Sequence, residues 1–311
     1  MKRIPVIDIF RGISILITLA HHLGPLYITL PYQYYPVDFA WYKLWSAGGY
    51  GVSMFFAISG YLITRLIAAN PNGLFLPDFR DFYTRRAGRI LPLLFVVCIF
   101  GFFMLKSLPP TPSPNVEYCF RHTGARFSWV IWASIATFSF NWYKAFLGAA
   151  QSNFGLHWDV MWSLSVEEQF YLFYPLILKN LRTMKNLILF LTLMVVLMPL
   201  TNGINYYFNS HHNLWNSFGH FGMMAIGALL FLAEKKWKIY LDKNPRDCWL
   251  LCGAGLYTLC FFGFHSSAKI YVWTSIWGET FMGVGLFLFL LGGLHLSIFH
   301  SKFWIPLTLP G

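Results

Sequence analysis

Apolar residues along this 311-residue chain are gathered into blocks, with polar residues collected between them. Nine blocks are visible, at about 13–30, 49–68, 90–105, 128–143, 162–178, 187–200, 217–233, 248–264 and 270–297. A helix crossing the hydrocarbon layer needs ~20 residues, and several blocks fall short of that. The pattern predicts an all-α, polytopic transmembrane helical bundle. Nothing between the blocks is long enough to fold alone, so residues 1–311 read as a single domain.

Composition agrees with the blocks. With 57% hydrophobic and 11% charged residues and a mean hydropathy of +0.52, the chain has too few charges to cover a soluble surface. The first block carries Arg11 and lacks a small-residue cleavage site, which predicts a retained helix rather than a leader. Cations concentrate in 69–89, with Arg80, Arg85, Arg86 and Arg89, and in 234–247, with Lys235, Lys236, Lys238, Lys243 and Arg246. Both segments are expected on the cytoplasmic side, together with Lys2, Arg3, Lys179, Arg182 and Lys185. Nine simple crossings would put the last three outside, so the segment 128–143 or its flanks is expected to be partly re-entrant.

The net charge of +11 lies largely in loops that face anionic lipid, so membrane lipids account for it without nucleic acid. The five cysteines, Cys98, Cys119, Cys248, Cys252 and Cys260, show no metal-ligand spacing. No structural disulfide and no metal are expected.

Polar side chains at membrane depth carry the chemistry, because burying them there is costly without a role. Arg11 and His22 are eleven residues apart, and at ~100° per residue they share one helix face, ~16 Å apart. Asp8 and Thr18 fall near the same stripe. A base, a cation, a carboxylate and a hydroxyl on one face suit a buried proton-transfer site. Arg86 and Arg89 have the i, i+3 spacing that lets two guanidinium groups converge on a phosphate, or they are a topological anchor at a helix start. In MWSLSVEEQFYLFYPLIL, Glu167 and Glu168 point ~100° apart, so only one enters a shared site. Glu167 is favoured because Ser163, Glu167 and Tyr171 recur on one face; its alternative is a structural carboxylate. Gly48, Gly49, Gly51 and Gly60 in the second block read first as helix-packing positions.

Together these segments resemble the acyltransferase 3 family of integral membrane O-acyltransferases. The resemblance rests on IDIFRGISIL with Arg11 and His22 in an Arg-x10-His spacing, GVSMFFAISGYLI at 51–63, FYTRRAGRILPL at 82–93 and WSLSVEEQFYLFYPLIL at 162–178. It implies transfer of an acyl group, usually acetyl, from cytosolic acyl-CoA to a hydroxyl of a cell-envelope glycan or lipid-linked sugar, at the bacterial inner membrane. In that scheme His22 is the general base, Arg11 assists it or the donor, and Arg86 and Arg89 hold the acyl-CoA. The resemblance assigns Glu167 no role; its place among the catalytic candidates rests on its depth in an apolar helix. Family members usually finish with a further helix where this chain stops at FWIPLTLPG, so a C-terminal truncation is expected. Two other readings stand beside transfer: a transporter or flippase for a lipid-linked sugar, and a catalytically inactive member.

Overall fold

A computed structural model describes residues 4–27, 48–107, 129–147, 161–207, 217–264 and 271–300. Among the described residues all regular structure is helical. The helices are α1 (Pro5–Tyr27), α2 (Gly48–Ala68), α3 (Phe79–Ser107), α4 (Trp129–Ala136), α5 (Phe140–Leu147), α6 (Met161–Leu181), α7 (Met184–Tyr207), α8 (Ser217–Lys243), α9 (Pro245–Phe264) and α10 (Tyr271–Gly293), with a 3-10 turn at Ser297–His300. Among the described residues, four segments are long and apolar enough to cross a membrane: Gly48–Ala68, Met184–Ile204, Ser217–Lys243 and Ile276–Gly293. On α7 the residues Leu189, Leu193, Val196 and Leu200 form an exposed apolar stripe, from 50% to 69% accessible. Lipid covers such a stripe; water would make it an aggregation liability.

The block expected at 128–143 is not one helix. It is two helices of eight residues each, α4 and α5, and each is only ~12 Å long against a hydrocarbon layer of ~30 Å. Phe138, between them, has φ 53°, a left-handed conformation unfavourable for a bulky side chain. No glycine or proline in the segment announces that break, which is why apolar patterning alone reads it as continuous.

The chain divides into two compact units. The first comprises residues 1–65, 188–213 and 217–311. Within it α1 and α2 run antiparallel, with Gly51 against Thr18 and Phe55 beside Arg11. α8 runs parallel to α2: Phe56 meets His220, Gly60 meets Met224, and Tyr61 meets Glu234. α7 is antiparallel to α8 through Met198 and Gly222, and α9 is antiparallel to α10 through Cys248 and Gly292. α1 begins where α10 ends, with Val6 on Gly293 and the Phe10 and Phe289 rings 5.0 Å apart. The alternation collects Arg65, Lys235, Lys236, Lys238, Lys243 and Arg246 at one end of this unit.

The second unit comprises residues 66–187 and 214–216. α3 and α6 run antiparallel in it: Lys179 lies over the Phe79 ring, and the Tyr83 hydroxyl donates to the Leu172 carbonyl at 2.7 Å. The basic start of α3 and the basic end of α6 therefore share a side. Leu94 of α3, Ile131 and Ile135 of α4, Phe140 of α5 and Met161 of α6 form its apolar core.

Candidate functional site

Three consecutive residues of α6 make three different connections in the second unit. Glu167 accepts a hydrogen bond from the Tyr171 hydroxyl one turn on. Tyr171 is 4% exposed, and its ring lies under Arg86 of α3, with the guanidinium carbon 3.9 Å from the centroid. A carboxylate holding the phenol enriches the ring that faces the cation, so Glu167, Tyr171 and Arg86 act as one electrostatic unit. Glu168 turns the other way. Its Oε1 is buried with no hydrogen-bond partner among the described residues, while Arg86 is close enough for its charge to act on the group. A buried acceptor without a donor is expensive, so this oxygen is a natural point for a ligand donor.

Gln169 has a structural task. Its amide nitrogen donates to the Phe138 carbonyl at 2.5 Å and to Asn141 Oδ1 at 2.8 Å, and its oxygen accepts from Trp142 Nε1 at 3.3 Å. These bonds satisfy the backbone where α4 breaks from α5 and hold the left-handed Phe138 in place.

The arginines at the start of α3 are not equivalent. Arg85 is exposed and bonded to Asp81 at 2.6 Å, and that bond raises its pKa further. Arg86 is half-buried against Tyr171, whereas Arg89 is exposed. In place of the expected convergence of Arg86 and Arg89 stand a half-buried cation stacked on Tyr171 and a neighbour one turn on that is open to solvent.

In the first unit, two residues of the stripe expected on α1, Arg11 and Thr18, lie against α2. Ser14 is fully buried, its hydroxyl donates to the Arg11 carbonyl, and Thr18 Oγ1 donates to the Ser14 carbonyl, both at 2.9 Å. A Cβ on Gly51 would come within 2.6 Å of Thr18 Oγ1, so the glycine is what allows α2 to approach this face. Arg11 is half-buried, 5.9 Å from the Phe55 ring centroid. Leu16 and Leu19 point away, at 59% and 49% exposure. His22 follows Thr18 by one turn of α1; its side chain lies outside the described residues.

Two carboxylates escaped the sequence reading. Glu234 of α8 accepts a hydrogen bond at 2.7 Å from Tyr61, which is fully buried on α2. Glu279 of α10 lies 3.5 Å from Ser53 Oγ. Glu279 sits inside an apolar block and meets the same depth criterion that singles out Arg11 and Glu167. Glu234 immediately precedes the lysines at 235 and 236 and passes as loop. The described residues contain no cluster able to hold a metal ion.

Apolar helices with a lipid-facing stripe, ionisable groups paired between them and cations gathered at one end define a multi-pass helical membrane protein. The chain belongs to the acyltransferase 3 family: residues 4–308 match that family's acyltransferase domain. It is similar to a putative O-acetyltransferase of Staphylococcus aureus, with 31% identity over 190 residues, covering 58% of this chain and 26% of the relative. It is also similar to the peptidoglycan O-acetyltransferase OatA of Listeria monocytogenes, with 28% identity over 192 residues, 60% of this chain and 26% of that one. The putative peptidoglycan O-acetyltransferase YrhL of Bacillus subtilis is 32% identical over 182 residues, 57% of this chain and 24% of the relative. The aligned part thus spans about a quarter of these curated relatives. No solved structure matches the chain.

Proposed function

We propose that the chain is the membrane domain of an O-acyltransferase that moves an acyl group, in the first instance acetyl, from acyl-CoA to a hydroxyl of a cell-envelope glycan. The observation that carries this reading is the Arg86, Tyr171, Glu167 and Glu168 cluster: a cation and two carboxylates on two helices of a family whose named relatives are O-acetyltransferases. The family domain, 4–308, takes in both compact units.

His22 is the general base in this scheme. It removes the proton of the acceptor hydroxyl as the oxygen attacks the thioester carbonyl, the tetrahedral oxyanion collapses, and the thiol of CoA leaves with a proton. Imidazole suits the task with an unperturbed pKa near ~6.5, and such a base contributes ~10²–10⁴-fold to rate. Arg11 stabilises developing negative charge. Arg86 and Arg89 bind the phosphates of the donor, for which the planar fork of arginine is better suited than a lysine ammonium. Glu168, with its unpartnered oxygen, is a second candidate beside Glu167 for receiving a donor group of substrate. The positive-inside rule places the basic ends in the cytoplasm, at a bacterial inner membrane.

Transfer of radiolabel from acetyl-CoA to a glycan extract by purified protein tests the reading. Activity is expected to vanish in His22→Ala with the protein still inserted, and to survive in His21→Ala, which is ~100° round the helix. Undiminished transfer in the His22 variant overturns the base assignment.

A further inference from the structure

Glu279 has no task in the transfer scheme, and its surroundings are unusual for a carboxylate at membrane depth. It is half-buried on α10, inside an apolar block. Among the described residues its hydrogen-bond partner is Ser53 Oγ at 3.5 Å, the outer edge of bonding distance, and no arginine or lysine pairs with it. Tyr50, one turn before Ser53 on α2, is close enough for the Glu279 charge to act on its phenol. A carboxylate so placed is costly unless something donates to it. The Oγ1 of Thr280, the next residue, is buried with no hydrogen-bond partner among the described residues.

Ile276, Glu279, Thr280 and Gly283 have i, i+3, i+4, i+7 spacing and share one face of α10. Contacts from three helices place that face inside the unit. Ile276 packs on Gly203 of α7, and its carbonyl accepts from Asn202 Nδ2 at 3.4 Å; Glu279 meets α2; Gly283 meets Met223 and Ile226 of α8. The cluster lies in the half of the unit away from its basic end, because α2 and α10 start there and α7 ends there. Gly51, between Tyr50 and Ser53 in the chain, meets Thr18 of α1 one turn before His22. A sugar hydroxyl donates and accepts at once, so a site for it needs both kinds of group within reach. Glu279 supplies a charged acceptor, and Ser53, Thr280 and Tyr50 supply hydroxyl donors. An anionic ligand would be repelled by Glu279. A metal cation would need further charged ligands, which the described residues do not group here.

We propose that Glu279 and Thr280 hold the acceptor, the carboxylate accepting a hydrogen bond from a hydroxyl of the sugar and Thr280 bonding a second one. The identity of the ligand rests on the transfer reading above. The test is the rate of acetyl transfer by the full chain in detergent, with the glycan extract and acetyl-CoA varied in turn. Glu279→Gln is expected to raise the half-saturating amount of extract about tenfold, the effect of losing a charged acceptor, and to leave half-saturation by acetyl-CoA where it was. Thr280→Val is expected to raise it about threefold, with an unfolding midpoint equal to the parent's or higher, because the hydroxyl it removes is buried without a partner. A purely structural threonine would lower that midpoint. Glu234→Gln removes the same charge near the basic end and is expected to leave the dependence on extract unchanged. An equal rise in the two glutamate variants would mean a general effect of charge and overturn the site. A matching rise for acetyl-CoA, or no change for the extract in Glu279→Gln, overturns it as well. If Glu279→Gln does not fold, an unmoved dependence on extract in Thr280→Val overturns it. Transfer by the parent with any of these results leaves the transfer reading standing; a parent that transfers nothing overturns both.

Discussion

The α2–α8 contact of the first unit and the α3–α6 contact of the second solve the same problem in opposite ways. Where α2 meets α8, glycines remove the side chain at the points of closest approach: a Cβ on Gly60 would overlap the Met224 backbone, and one on Gly227 would overlap the Ala57 carbonyl. The helices approach until backbone meets backbone, and dispersion over a tight surface holds them. Where α3 meets α6, the contact is made by large polar side chains: Arg86 on Tyr171, Tyr83 to the Leu172 carbonyl, and Lys179 over Phe79. The first arrangement has no room for a ligand. The second keeps charged groups half-exposed and leaves a carboxylate oxygen without a donor, as a binding site requires.

This contrast is broken most severely at the glycines. Gly60→Ala or Gly227→Ala is expected to cost ~3 kcal/mol or more, because backbone atoms rather than flexible side-chain ends stand in the way. Loss of the monodisperse peak on size-exclusion chromatography and a lowered unfolding midpoint would register it. Gly88→Ala on α3, with nothing within 4 Å of its added Cβ, should leave both measurements unchanged or slightly improved. Similar damage at Gly60 and Gly88 would mean that helix flexibility, not close approach, is what the glycines supply.

Next in size is Gln169→Ala, which strips the Phe138 carbonyl and Asn141 of their partner. A loss of ~2 kcal/mol is expected, with protease cleavage appearing between α4 and α5. Cleavage unchanged from the parent would show that apolar packing of Phe140 and Ile135 alone holds the break. Tyr171→Phe is milder, since the ring under Arg86 survives and only the hydrogen bond to Glu167 is lost. About 1 kcal/mol is expected, together with a fall in acyl-CoA affinity that Arg86→Lys should reproduce. Unaltered affinity in Arg86→Lys would favour the anchor reading of the arginines.

How far these features are legible in the sequence depends on what kind of signal each leaves. Long apolar blocks report helices because burial in lipid constrains every residue, so α1, α2, α7 and α8 are visible directly. The break at Phe138 is invisible, because a distant glutamine supports it rather than a local turn residue. Arg11 and Arg86 stand out as charges in or beside apolar runs, and Gly51 and Gly60 stand out as small residues. Which of two adjacent glutamates meets the arginine is a matter of helix rotation: the ~100° between Glu167 and Glu168 says they differ, not which is which. Both prove connected to Arg86, one through Tyr171 and one through its charge alone. The Tyr61–Glu234 pair joins residues 173 positions apart, and no local pattern announces it.

The smallest expected effect gives the sharpest test of the contrast. The first unit has polar pairs of its own, and if they contributed as much as those of the second, the distinction between close packing and polar contact would fail. Ser53 is 2% exposed and lies 3.5 Å from Glu279, at the outer edge of hydrogen-bonding distance. Helical geometry around Ser53 is independent of that contact, and alanine fills nearly the same volume. Ser53→Ala is therefore expected to change the unfolding free energy by less than ~0.5 kcal/mol, the range of a substitution that removes no strong interaction. Tyr61→Phe, which removes a 2.7 Å bond to Glu234, serves as the calibrating variant from the same unit. A loss at Ser53 as large as that at Tyr61 would mean that Glu279 depends on the serine, and that polar pairing, not glycine-mediated approach, sets the position of α10 against α2.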